Sequence, residues 1–132
     1  MLIDRHSDGA SETQPEVLSV IRPEGTAIDE VLLYLHIPAT LRWFEGHFPG
    51  TPLLPGVVQT HWVVMLARQY FDLPPCLISM SNMKFMRFIF PDASIQLCLR
   101  FAPVRGELTF EYRENDAVCA SGRMEFRRER GG

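Results

Sequence analysis

From Pro55 to about Phe71 the chain runs through Val57, Val58, Val63, Val64, Met65, Leu66 and Ala67, and near its start this run has almost no polar side. It reads as one helix. Pro55 suits a first helical position, and Leu73-Pro74-Pro75 ends the helix, since proline has a fixed φ and no N–H to donate. An amphipathic surface helix would show a single apolar stripe. This one is expected to be enclosed on most sides, so the rest of the chain has to cover it.

The flanking segments have the other period. Ile95, Leu97, Leu99 and Phe101 alternate with Ser94, Gln96, Cys98 and Arg100. Leu108, Phe110 and Tyr112 alternate with Glu107, Thr109, Glu111 and Arg113, and Val118, Ala120, Met124 and Phe126 stand against Cys119, Ser121, Arg123, Glu125 and Arg127. A period of two with one polar face describes half-buried antiparallel strands. Ahead of the helix, Val17 to Arg22 and Glu30 to Ile37 read as two more strands, separated by the turn cluster Pro23-Glu24-Gly25. Adding the less regular stretch Ile78 to Phe90, the predicted order is strand, strand, helix, then four strands. The fold class is α+β, an antiparallel sheet around one central helix. The expected organisation is a flexible N-terminal segment over residues 1–15, a single domain over 16–128 and a short tail over 129–132.

A chain of 132 residues with 46% hydrophobic content supports one core and one site architecture. Its net charge of −3 supplies no overall basic field for nucleic acid. The sign is uneven: residues 1–83 hold nine acids and four bases, and residues 84–132 hold seven acids and nine bases. The second half therefore offers either a modest basic face or an ordinary solvated strand surface. Cys76, Cys98 and Cys119 are odd in number and lack any C-x-x-C pair, so neither a disulfide framework nor a zinc site is expected, and a reducing cytoplasm suits them. No apolar run is long and uncharged enough to span a membrane. No spacing among His36, His47 and His61 supports a metal site.

The connection into the helix carries the chemistry. Phe48-Pro49-Gly50, Thr51-Pro52 and Leu54-Pro55-Gly56 stiffen the loop that holds His47. The N–H groups of Gly56 and Val57 at the helix start have no partner within the helix, and they favour an oxygen gaining negative charge. A general base beside such an oxyanion site is what proton abstraction next to a carbonyl requires.

The run His47-Phe48-Pro49-Gly50, Pro52 and Leu54-Pro55-Gly56-Val57 resembles the signature of the β-hydroxyacyl-(acyl carrier protein) dehydratases, which have the hotdog fold. Trp43-Phe44-Glu45-Gly46 and Lys84-Phe85-Met86-Arg87 through Phe90-Pro91-Asp92 are similar to that family as well, so the likeness covers roughly residues 30 to 127. The resemblance implies dehydration of a 3-hydroxyacyl thioester carried on the phosphopantetheine of an acyl carrier protein, with no metal or redox cofactor. His47 would be the general base. Gly56 and Val57 would hold the thioester oxygen, with Phe48 and Pro55 framing the substrate. The resemblance also implies a homodimer or higher even oligomer, in which His47 of one protomer meets His61 of its partner.

This chain departs from the family at the helix. Where the family has a Glu or Asp fourteen residues after the histidine, it carries His61, and Met65 replaces a frequent glutamine. Imidazole can donate a proton as His⁺ or hydrogen-bond when neutral. Gln59-Thr60-His61-Trp62 is similar to dehydratases of aryl-polyene-type lipid pathways. The alternatives are a buried, purely structural His61 and a hotdog protein that binds acyl thioesters without lyase activity or hydrolyses them. Trp62, Met65 and Tyr70 are expected in the core, and His36 at a strand end.

Overall fold

A computed structural model describes residues 12–23, 28–44 and 52–129. Six strands and one helix follow the predicted order: β1 (Glu16–Ile21), β2 (Asp29–His36), α1 (Gly56–Tyr70), β3 (Cys76–Phe85), β4 (Ser94–Ala102), β5 (Glu107–Glu114) and β6 (Ala117–Arg127). All pairings are antiparallel, and the strands lie in one sheet in the order β1-β2-β4-β5-β6-β3.

The register explains why the alternating strands sit together. Leu33, Leu97, Tyr112 and Ala120 form one cross-strand row, and Val31, Leu99, Phe110 and Gly122 form the next. Apart from Gly122, these side chains are buried, and they are joined in the core by Val58, Trp62, Val63, Leu66 and Ala67 of α1. Gly122 is the small member because a Cβ there would meet the Phe110 ring at 2.7 Å and also strike the Met83 sulfur. Phe71, just past the helix, stacks on Phe101 with centroids 5.8 Å apart.

The two ends of α1 are handled differently. At the C-terminus the Phe71 N–H donates to the Ala67 carbonyl at 2.8 Å, and the Arg22 guanidinium donates to the Tyr70 carbonyl at 3.2 Å. Arg68 then donates to the carbonyls of Leu73, Pro74 and Pro75 while lying 5.5 Å from the centre of the Phe126 ring. The double-proline turn thus has its carbonyls satisfied by a cation where a helix C-terminus favours one. At the N-terminus Pro55 occupies the N-cap and not the first helical position expected for it, which is Gly56, and no side chain caps the helix.

Enclosure of the helix is partial. Val57, His61, Arg68 and Gln69 are exposed, and Thr60, Val64 and Met65 are half-buried. The apolar residues of α1 thus serve two faces, one against the sheet and one outward. Among the described residues no helix is long and apolar enough to cross a membrane.

Candidate active site

The segment before α1 is fixed from two directions. The Leu54 N–H donates to the Ile89 carbonyl at 2.8 Å, and the Leu54 carbonyl accepts from Gln59 Nε2 at 3.1 Å. Gln59 is only 3% exposed, and among the described residues its Oε1 has no hydrogen-bond partner. On the far side, the buried Tyr112 hydroxyl donates to the Gln59 main-chain carbonyl at 2.6 Å, which binds the first turn of α1 to the middle of the sheet. Burial raises the Tyr112 pKa well above that of an exposed tyrosine.

The Val58 and Gln59 N–H groups both reach the Pro55 carbonyl at 3.1 Å. Gly56 and Val57 precede them, so their N–H groups have no carbonyl within the helix to bond. The Phe85 ring covers Gly56 so closely that an added Cβ would lie 3.1 Å from it. This close approach is one that glycine permits and a side chain would crowd.

One turn further on, His61 is exposed, which overturns the buried structural reading. Val57 and His61, four residues apart on the outward face, line a cavity of about 400 Å³ together with Val58, Met65, Trp43, Thr13 and Gln14. The lining is mainly apolar, with the imidazole at its edge. Met65 both packs against the core and faces this cavity, whereas Trp62 is fully buried as expected. His47 and Phe48 lie outside the described residues. Of the predicted set, Val57 and His61 line this cavity, and Pro55 and Gly56 immediately precede Val57 in the chain.

Thr13, Gln14 and Trp43 were not singled out as site residues by their sequence. The Thr13 carbonyl accepts from two indoles, Trp43 Nε1 at 3.1 Å and Trp62 Nε1 at 2.9 Å. Beside it, the Arg42 N–H donates to the Glu12 carbonyl at 2.8 Å. The two tryptophans were the available signal, since a buried indole N–H needs an acceptor.

His36 is a structural residue at the end of β2: Nδ1 lies 2.9 Å from Glu16 and Nε2 lies 3.3 Å from Asp92. Among the described residues no group of three or more His, Cys, Asp or Glu side chains is arranged to hold a metal ion. The three cysteines are free thiols. Burial, with Glu30 close by, pushes the Cys98 thiol pKa up, and burial does the same for Cys119, so neither is an activated nucleophile.

A family model described as ApeI dehydratase matches residues 24–123. Over 80 residues, 55% of this chain, the sequence is 28% identical to the 3-hydroxyacyl-[acyl-carrier-protein] dehydratase FabZ of Clostridium acetobutylicum, and the match spans 57% of that enzyme's length. The FabZ of Clostridium perfringens is 24% identical over 100 residues, 70% of this chain and 72% of that enzyme. A crystallised, uncharacterized protein of Erwinia carotovora subsp. atroseptica superposes with a TM-score of 0.75 at 33% identity, covering 84% of this chain and 94% of that one. A chain of the dehydratase heterocomplex ApeI:P from Xenorhabdus doucetiae superposes with a TM-score of 0.71 at 29% identity, covering 85% and 96%. The helix and antiparallel sheet are those of the hotdog dehydratases.

Proposed function

The chain belongs to the ApeI-like family of dehydratases, and on that premise we propose that it converts a 3-hydroxyacyl thioester, carried on an acyl carrier protein in the cytoplasm, to the trans-2-enoyl thioester. The observation that carries this reading is the apolar cavity beside an uncapped helix N-terminus, with an accessible imidazole at its edge. It offers an apolar surface for an acyl chain, N–H groups for a thioester oxygen and a proton donor one turn away.

In this reading the thioester oxygen accepts from the Gly56 and Val57 N–H groups, which stabilise the enolate-like charge that develops as the α-proton leaves. His47 takes that proton from C2, the C2–C3 double bond forms, and the C3–O bond breaks. His61 donates a proton to the departing hydroxyl, which leaves as water. Imidazole can supply a proton where the wider dehydratases use a carboxyl group. Pro55 and Phe48 contact the substrate in this reading, as the family likeness implies.

The test is incubation with 3-hydroxyacyl-carrier thioesters, with mass detection of both water loss and thioester hydrolysis. Dehydration is expected; hydrolysis alone would make the protein a thioesterase, and neither reaction would leave an acyl-binding role. His47→Ala should lower the dehydration rate by ~10²- to 10⁴-fold. His61→Glu should preserve or raise the rate and His61→Ala should lower it, whereas equal rates for all three would remove His61 from the chemistry.

The working unit in this proposal is a dimer with shared sites. Support comes from exposed apolar side chains on the edge strand β3 and just beyond it, Met80, Phe85, Met86, Phe88 and Phe90, together with Val57 on α1. Mixing inactive His47→Ala with inactive His61→Ala under subunit exchange should restore about a quarter of the wild-type activity, because a mixed two-fold dimer pairs both lesions in one site and leaves the other intact. No recovery despite exchange would give each chain its own complete site.

A further inference from the structure

The cavity beside His61 has an unusual wall. Its lining comes from α1, with Val57, Val58, His61 and Met65, from Thr13 and Gln14 in the segment just ahead of β1, and from Trp43. Among the described residues that segment lies ahead of the strand ladder, which begins at Glu16. Its anchorage includes the Thr13 carbonyl, which takes hydrogen bonds from the indoles of Trp43 and Trp62, together with the Arg42 N–H on the Glu12 carbonyl and the Arg42–Glu12 ion pair at 3.6 Å. One of the two indoles belongs to the buried side of α1 and the other to the short 3₁₀ turn Arg42–Phe44. Elements from three parts of the sequence therefore converge on a single main-chain oxygen.

Two indole donors on one carbonyl use both of its lone pairs and fix it in direction as well as position. The arrangement satisfies the N–H of the fully buried Trp62, while Gln14 itself is exposed and Thr13 half-buried. It also fixes the width of the cavity, because the residues it holds are lining residues. An apolar cavity of ~150 Å³ accepts a benzene ring. At about 400 Å³, this one is at the small end of ordinary ligand pockets and has room for a longer apolar tail.

We propose that the strap Glu12–Gln14, hung by the Thr13 carbonyl from Trp43 and Trp62, is the specificity-determining wall of the acyl cavity, setting which chain lengths the enzyme accepts. This rests on the dehydratase reading for the identity of the occupant. The strap is a positioning element: it touches the tail of the substrate and takes no part in proton transfer.

The full-length chain and two variants decide it. Gln14→Trp adds bulk at an exposed lining position, and Trp43→Phe removes one of the two donors while keeping an aromatic ring. For each protein, kcat/KM is measured on 3-hydroxybutanoyl and 3-hydroxydodecanoyl pantetheine thioesters. Binding of the saturated butanoyl and dodecanoyl thioesters, which cannot dehydrate, is measured by calorimetry. Gln14→Trp should lower the long-to-short ratio by ~10-fold or more in both readouts, the discrimination that methylene-scale changes in an apolar pocket produce. Trp43→Phe should change the same ratio by a smaller factor, ~2- to 10-fold, the effect of one hydrogen bond. If both variants fold and keep the wild-type ratio while the wild type dehydrates, the wall falls and the lyase reading stands. If the saturated thioesters show the shift but no protein dehydrates, the wall stands and the lyase reading falls.

Discussion

Val58, Trp62, Leu66 and Ala67 on one side of α1 and Val57, His61 and Met65 on the other come from the same fifteen-residue helix. Their surroundings differ, although Val58 and Met65 each reach both the core and the cavity. The first group is buried against the sheet, whose rows of Leu, Val, Phe and Tyr would otherwise face water. In the second, Val57 is 77% exposed and His61 stands beside it at the rim of a cavity. A helix needed only to fill the core would carry Lys, Glu or Gln on its outward face. That face does carry Thr60, Arg68 and Gln69, but Val57 and Met65 beside the imidazole mark its N-terminal part as kept for something outside the fold.

Substitutions can test this division. Trp62→Ala removes the largest fully buried side chain and one indole donor to Thr13, and should cost ~3–5 kcal/mol of stability, read from urea unfolding at fixed protein concentration. A loss below that range would mean that the buried side of α1 relaxes to fill the space. Tyr112→Phe leaves the packing and deletes the hydroxyl that bonds the Gln59 carbonyl, so a loss of ~1–3 kcal/mol is expected.

The same tyrosine gives a pH signature. Its folded-state pKa is raised by burial, so in the pH range above ~10 the unfolded chain releases a proton that the folded chain keeps. Stability should therefore fall as pH rises through that range, and urea melts of Tyr112→Phe should show a shallower decline. On the outward face the expectation reverses. His61→Ala and Val57→Ser should alter stability by no more than ~0.5 kcal/mol, as exposed substitutions do, while lowering dehydration or self-association. A large loss of stability at either position would place it with the buried side and undo the division.

The central strands were legible in the sequence because burial on one face imposes alternation: β4 and β5 keep it row for row, whereas a register shift opposite Tyr112 and Arg113 at the start of β6 leaves Cys119, expected on the polar face, fully buried and Val118 only half-buried. Strand β3 was seen as less regular for a physical reason. It lies at the edge of the sheet, its pairing with β6 shifts register twice, Asn82 has a φ of 55°, and most of its side chains are exposed, so no burial pressure maintains a period of two. On the helix, Val57 and Met65 were read as enclosed, since an apolar residue alone does not reveal whether it meets its own sheet or a cavity. The wall at Thr13–Gln14 could not be read at all. Its anchor is a main-chain carbonyl that any residue could provide, and the two tryptophans indicate a need for acceptors without saying where those acceptors lie.

Trp43 and Trp62 are the two tryptophans of the chain, and both donate to the Thr13 oxygen. All indole emission from this protein therefore originates at the anchors of the strap. Lifting the strap would hand both N–H groups to water and shift that emission to longer wavelength, so the molecule contains an unlabelled optical gauge for whether its cavity is closed. Any displacement of the strap by a substrate would be visible in that emission, with no dye attached.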